Sequence, residues 1–470
     1  MAVTLQVTDG TTTIDFTSTA GPQLLENALP TFAIPTGDGT EPAYIIESLP
    51  VLIHITSGNN LAATMQDFHA LQVAAAEYHA DVTYETPVWF HRKLTDETGA
   101  VRYLVRSMQF TPNDDFGGPL DAAPILTDGR TGMLTIEHHP YGERTSAVAV
   151  STGTNLSVLG GNYAYTTVVG DVPARLYYAR LYGGDSVTFE KAWMGFRSAS
   201  KCTGTVANFE PLWELELGAV NNIIASTQND ATASPGGGGA NYVQAIIGAE
   251  TWTNIVAIEV DDVDGGNPDA FNGAFLVLLR AKVDTGTEQV KLKHRLVESN
   301  GPAKFNQVVD ISATSWTLYN LGIVTFPTRN RRAFPIALKD ASHDRSDLLE
   351  LWGRDKPGDT GATLDADCFV LIPVDEYFLY IHNTAIDSVS ESWMAIAPDG
   401  EAAGNTLGTT GSDYWYESSP TQAIGAGIPV GDGRMYICVA KASDAAPAYN
   451  DDIDVGLSWY PRWISYRGAE

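Results

Sequence analysis

Positive charge is scarce in this chain: its 470 residues hold 28 Lys and Arg against 57 Asp and Glu, a formal charge of -29. A field of that sign repels nucleic acid phosphates and anionic membranes wherever salt does not screen it, which argues against a general or sequence-specific nucleic acid surface. Cysteine is scarce too. Cys202, Cys368 and Cys438 are odd in number, widely spaced and without a C-x-x-C pair, so they read as small buried hydrophobes and not as a disulfide framework or zinc site. No run of about 18 apolar residues offers a membrane span. The N-terminal MAVTLQVTDG has no basic stretch followed by an apolar run, so no Sec-type signal is expected, and folding in a reducing cytoplasm fits.

Catalytic signatures are missing as well. There is no G-x-S-x-G elbow, H-E-x-x-H helix, Walker loop or dinucleotide fingerprint. Carboxylates abound, but a glycosidase pair needs only two of them about 5–10 Å apart in space, so abundance assigns no residue. His138 and His139 follow a strand, where neighbours point to opposite faces, which disfavours a shared metal or catalytic role. The expectation is a protein that is not an enzyme, with no catalytic residue.

What is present is a folded chain, 44% hydrophobic and 18% charged, long enough for two or three domains. One long amphipathic helix is expected at 59–80, in a sequence that otherwise alternates like strands. Leu61, Met65, Phe68, Leu71, Ala75 and Tyr78 recur at steps of three and four, with Gln66, Asp67, Gln72 and Glu77 between them. Asn59 or Asn60 can cap it by accepting a first-turn N–H. A lone helix among strands must bury its stripe against a sheet.

Strands are expected at TLQVT and TTIDF around the turn Asp9-Gly10, then at 49–55, where Leu49, Val51, Ile53 and Ile55 alternate. TPVWFHRKL and VRYLVRSMQF follow the helix as a pair, and MLTIEHHP ends the unit. The fold class is therefore mainly β: an N-terminal β-sandwich with one packed α-helix (1–144), a Gly-rich polar linker (145–161), and a C-terminal antiparallel jelly-roll β-sandwich with loop insertions (162–470). WTNIVAIEV, FLVLLRAKV, QVKLKHRLV, SWTLYNLGIVTF, CFVLIPV and YFLYIH supply its strands. Ile453, Val455, Leu457 and Trp459 alternate to the C-terminus.

Three constellations stand out. In QVKLKHRLV, Val290, Leu292 and Leu296 share one face and Lys291, Lys293 and Arg295 the other, with Arg280 and Lys282 of the preceding strand placed to join that outer face. A solvated, cross-paired sheet face is one reading; contact with an acidic neighbouring subunit is the sharper one. His294, in the apolar register, reads as a core histidine. The loop DDVDGGNPD offers Asp261, Asp262, Asp264 and Asp269 as oxygen donors, so a structural Ca²⁺ is the one cofactor considered; the loop lacks the EF-hand spacing, and a solvated turn is the plainer reading. Tyr414, Trp415 and Tyr416, expected on a loop, could stack on sugar rings, with Asp413 and Glu417 as hydroxyl acceptors, or pack in a core or interface.

SWTLYNLGIVTFP, DADCFVLIPVDEYFLYI and the closing IDVGLSWYPRWISYRG resemble the jelly-roll domain of bacteriophage minor and distal tail proteins. VTLQVTDGTTTIDFT, the helix after SGNNLAATMQ, and PVWFHRKL are similar to the ring-forming domain of siphophage tail proteins. The resemblance implies a virion structural protein of the tail tip or baseplate. It implies partners as well: itself, as a homo-oligomeric ring, commonly sixfold, other tail or capsid proteins, and host-surface glycans at the jelly roll. Alternatives are a carbohydrate-binding protein or glycoside hydrolase, or a capsid decoration or fibre subunit.

Overall fold

The computed structural model describes residues 4–18, 22–24, 31–33, 44–53, 61–80, 86–93, 101–112, 130–151, 163–183, 189–198, 212–221, 223–229, 241–259, 273–296, 304–326, 347–359, 361–386, 392–396, 402–406, 414–418, 427–441 and 453–463. Thr4–Thr8 and Thr13–Asp15 form the expected hairpin, with Gln6 opposite Asp15. Its turn is fixed by Asp9, whose Oδ1 accepts the Thr11 and Thr12 N–H groups at 2.8 and 2.6 Å. Gly10 takes φ +89°, open to a residue without Cβ.

The helix spans Leu61–Ala80. Phe68, Leu71, Ala75 and Tyr78 are buried while Gln66, Asp67, Gln72 and Glu77 face solvent, as the period requires. Asn59, Asn60 and the Leu61 side chain lie outside the described residues. Phe68 stacks on Phe110 at 5.1 Å and tilts against Phe16, so the helix closes a core with Val7, Ile14, Leu49, Val51 and Leu134.

Val101–Pro112 joins the two layers of this first unit. Its first residues pair with Trp89–Lys93 and its later ones with Arg130–His138, with a register shift between Val105 and Ser107. A bulge of this kind bends a strand and lets it leave one sheet for another. Arg130–His138 then pairs along its length with Ile45–Ile53. His138 faces inward, fully buried, its ring 4.9 Å from Tyr103 and its Nε2 3.5 Å from Glu47 Oε2. His139 belongs to different surroundings, where burial and then the Arg462 charge push its pKa down to about 3.

The last strand, Ile453–Trp463, enters the same sheet as the first strands. One side pairs with Val172–Gly183 and the other with Gly142–Arg144 and Val148–Ser151, a strand inside the stretch expected to be a linker. Leu457 and Trp459 are buried, and Trp463 completes the N-terminal core beside Val101 and Tyr103. Gly142 is required at this junction, because a Cβ there would collide with Val101 Cγ1 and lie 2.8 Å from Tyr103.

The remaining strands divide by an insertion. Phe189–Ser198 and Tyr377–Ile386 pair with each other in a five-stranded sheet, and the chain between them forms two six-stranded sheets of its own. Gly273–Val283, Thr317–Phe326 and Thr363–Pro373 lie in one; Thr253–Glu259, Glu288–Leu296 and Asp347–Asp355 lie in the other. Val243, Val277, Leu279, Val290, Leu292, Leu351 and Phe369 fill the space between them. This is the antiparallel sandwich expected of the C-terminal part, carried within 212–373. Its first sheet also has a packed outer end, where Leu276, Leu278, Val370 and Ile372 meet Trp193 and Phe378 of the five-stranded sheet.

Glu143 lies where the N-terminal unit, Val172–Gly183 and the last strand meet. It receives Arg175 through Nε and Nη2, both at 2.8 Å, and Arg102 Nη2 at 2.9 Å. The Tyr460 ring of the last strand sits 4.5 Å from the Arg102 guanidinium carbon and 4.8 Å from that of Arg175. Burial alone would raise the Glu143 carboxyl; Arg175, Arg462 and Arg102 hold it below its ordinary value.

Two substitutions test this account by urea denaturation. Phe68→Ala, which empties the contact between helix and sheet, is expected to cost about 3–5 kcal/mol. Glu143→Gln, which leaves two guanidinium groups facing a neutral side chain, is expected to cost a similar ~3–5 kcal/mol. A loss under about 1 kcal/mol for either would contradict the packing described.

Candidate functional site

The inserted sandwich holds the basic residues singled out from the sequence, but on two faces. Arg280 and Lys282 belong to the sheet that also holds Thr363–Pro373, whereas Lys291, Lys293 and Arg295 belong to the opposite sheet. The expected common outer face does not form, because the turn after Val283 carries the chain across the sandwich instead of back along the same sheet. Side chains alternating along Gly273–Val283 place Leu276, Leu278, Arg280 and Lys282 on the outer side.

On that first face Arg280 is 2% exposed and donates to Asp367 Oδ2 at 2.6 Å. Its guanidinium carbon lies 4.8 Å from the Trp316 ring centre. The Lys282 ammonium lies 4.6 Å from the same ring and 3.7 Å from Asp365 Oδ2. Gln244 Nε2 donates to Asp365 Oδ1 at 2.9 Å, and Tyr242 meets Trp316 edge-on at 5.5 Å. Burial raises the Asp365 carboxyl against the pull of Gln244 and Lys282. The buried Trp316 indole N–H has no acceptor among the described residues. Tyr242 and Trp316 are themselves buried, so these groups form a packed polar cluster on the outer side of the sheet.

On the second face, Lys291 stands opposite Trp352 in the strand register, Lys293 opposite Glu350 and Gln289 opposite Arg354. Lys293 lies 3.1 Å from Glu350 Oε2, which also accepts the Trp352 indole N–H at 2.8 Å. Arg354 Nε donates to Gln289 Oε1 at 2.9 Å. The Arg295 side chain lies outside the described residues, and His294 packs edge-on against Phe326 at 5.2 Å.

At one end of the core, Glu288 and Asp355 are directly opposite across the strands and share the inward register of Val290 and Leu351. Glu288 is fully buried and accepts the Ala362 N–H at 3.0 Å; Asp355 is 7% exposed and accepts the Gly361 N–H at 3.2 Å. Glu288 Oε2 and Asp355 Oδ1 have no hydrogen-bond partner among the described residues. Burial, and then the charges of Asp355, Asp359 and Asp284, outweigh the Ala362 hydrogen bond and raise the Glu288 pKa to about 7. The two carboxyls therefore hold the turn at Gly361 and Ala362, and Glu288 keeps its proton to a higher pH than an ordinary glutamate.

The other sequence candidates fall elsewhere. Tyr414–Ser418 is a strand on the edge of the five-stranded sheet, paired with Tyr377–Ile386, and not a loop. The side chains of Tyr414, Trp415 and Tyr416 lie outside the described residues. Asp261, Asp262, Asp264 and Asp269 are outside them too. Among the described residues no group of three or more acidic, His or Cys side chains is placed to hold a metal ion. Tyr242, Gln244, Trp316, Asp365 and Asp367 were not signalled by the sequence, since three segments far apart in the chain bring them together.

No protein-family model matches the chain, and no curated protein matches it in sequence. Among solved structures it is similar to the carbohydrate-binding module TmCBM61 in complex with β-1,4-galactotriose, at 12% identity over 38% of this chain and 99% of that one, with a TM-score of 0.21. It is also similar to a tandem pair of CBM22 modules of Paenibacillus barcinonensis Xyn10C, at 10% identity, 53% and 96% coverage and a TM-score of 0.22. A third is the Dit protein of phage SPP1, described as a hub adsorption apparatus, at 12% identity, 43% and 71% coverage and a TM-score of 0.22. These neighbours are β-rich, and at such scores the likeness goes no further. No described helix is long and apolar enough to cross a membrane.

The carboxyl pair predicts a pH dependence. With Glu288 near pKa 7 when folded and 4.5 when not, the folded chain holds the extra proton between those values. Its stabilising effect is therefore lost as pH rises through about 7. Melting temperature measured from about pH 5 to about pH 8 should fall more steeply for the natural chain than for Glu288→Gln. Parallel curves would refute the raised Glu288 pKa.

Proposed function

We propose that this chain is a non-enzymatic structural protein of a phage virion, at the tail tip or baseplate. In this reading the N-terminal sandwich and helix build a ring and the inserted sandwich projects as a peripheral contact module. The observation that carries it is the insertion itself: a sandwich with its own core leaves and re-enters a neighbouring sheet through adjacent strands. Such a module can vary without disturbing the body that assembles. The resemblance of VTLQVTDGTTTIDFT and PVWFHRKL to ring-forming tail domains supplies the assembly half of the reading. A charge of -29 suits a conduit past which DNA slides without sticking.

A second reading, contact of the inserted sandwich with host-surface glycans, follows from the resemblance of SWTLYNLGIVTFP and DADCFVLIPVDEYFLYI to tail-protein jelly rolls. The two readings are compatible in one protein. Calcium in the 261–269 loop remains a separate proposal, tested by the same experiment.

Mass photometry followed by negative-stain electron microscopy, over a range of protein concentrations with and without calcium, should show closed rings or tubes. A monomer at every concentration in both conditions would reject the ring and leave a glycan-binding protein as the surviving reading.

A further inference from the structure

The second face of the inserted sandwich carries a row of cations held in place by indole rings. The Lys291 ammonium lies 4.0 Å from the Trp252 ring centre, and the Arg354 guanidinium carbon lies 4.7 Å from the same ring. Lys293 lies 4.7 Å from Trp352. All of these side chains are half-buried, so the rings and the alkyl stems pack together while part of each side chain stays exposed. At the rim Lys356 meets Asp310 at 2.6 Å, and Gln289 Nε2 donates to the same carboxylate at 2.8 Å.

Lys293 is engaged by Glu350, which is 3% exposed and also accepts from Trp352, while Lys291 and Arg354 share the Trp252 ring. Crowding of like charge is costly, and it shows at Lys291: burial, then Arg354 and Lys293, lower its pKa. An arriving anion relieves that repulsion. Because the indoles already fix the cations, little side-chain freedom is lost when the anion binds.

We propose that this face binds a carboxylate-bearing polysaccharide, with Lys291, Lys293 and Arg354 receiving the uronate carboxylates and the edges of Trp252 and Trp352 meeting the sugar rings. Charge complementarity selects an anion on a chain that is otherwise acidic. Same-face residues on a strand repeat about every 7 Å, which gives a line of cations suited to a polymer with regularly repeated charges and less to the scattered carboxylates of a protein surface. The indole edges favour an anion carried on a ring. The site is separate from the Tyr242–Trp316 face and does not depend on ring assembly, so a protein that forms rings but ignores acidic glycans fails here alone.

The test is binding of the full chain to alginate, a polyuronate, at about 0.15 M salt, with neutral dextran and inorganic polyphosphate as the other probes. Alginate is expected to bind, dextran not to bind on this face, and polyphosphate to bind more weakly. The double variant K291Q/R354Q should weaken alginate at least about tenfold. W252A, with every charge kept, should also weaken it several-fold, which salt-driven sticking alone would not produce. Circular dichroism melts identify any variant that fails to fold, and K293Q then serves as a second, milder probe.

The proposal is overturned if alginate does not bind, if polyphosphate binds as tightly, or if the variants bind alginate like the parent. It is also overturned if K291Q/R354Q changes only the size of the assembly, because the face would then be a contact between copies of this chain.

Discussion

The structure depends on one buried carboxylate, Glu143, that joins three distant parts of the chain. Arg102 comes from the strand that bends between the N-terminal layers, Arg175 from the strand beyond the expected linker, and the Tyr460 ring between them from the last strand. A charge so deeply buried is tolerated only with partners in place, so the N-terminal unit is complete only when the C-terminal strand has returned to it. Trp463 in the N-terminal core makes the same demand through packing.

That return organises everything between. With the end of the chain bound to its beginning, strands Phe189–Ser198 and Tyr377–Ile386 lie side by side, and the sandwich between them enters and leaves at one place. Its core excludes water on its own account, while Leu276, Leu278, Val370 and Ile372 dock it on the neighbouring sheet. One sheet is thereby partly covered, and the described side chains on the outer face of the other are half-buried. The covered sheet keeps a buried polar cluster with Arg280 and Asp367 at its centre; the other carries half-buried cations on tryptophan.

Much of the architecture was legible. The helix at 61–80 followed from apolar residues at steps of three and four, and the first hairpin from Asp9-Gly10, because both patterns are local and strong. Inward placement of Val290 and Leu292 and outward placement of Lys291 and Lys293 followed from strand alternation. The error at Arg280 and Lys282 has a physical cause: alternation tells which residues share a side of one strand, but not which sheet the next strand joins. Tyr414–Tyr416 misled for a related reason, since a polar sequence around aromatic residues suits an edge strand as well as a loop.

The sequence by itself determined the class of fold, the helix and its buried stripe and the acidic field, because these rest on composition and short-range periodicity. Only the tertiary structure decided that the last strand closes the first unit, that one sandwich is inserted in another, and that Trp252, Lys291 and Arg354 stand together. Those depend on strand pairings between residues far apart in the chain, where no local signal specifies the partner.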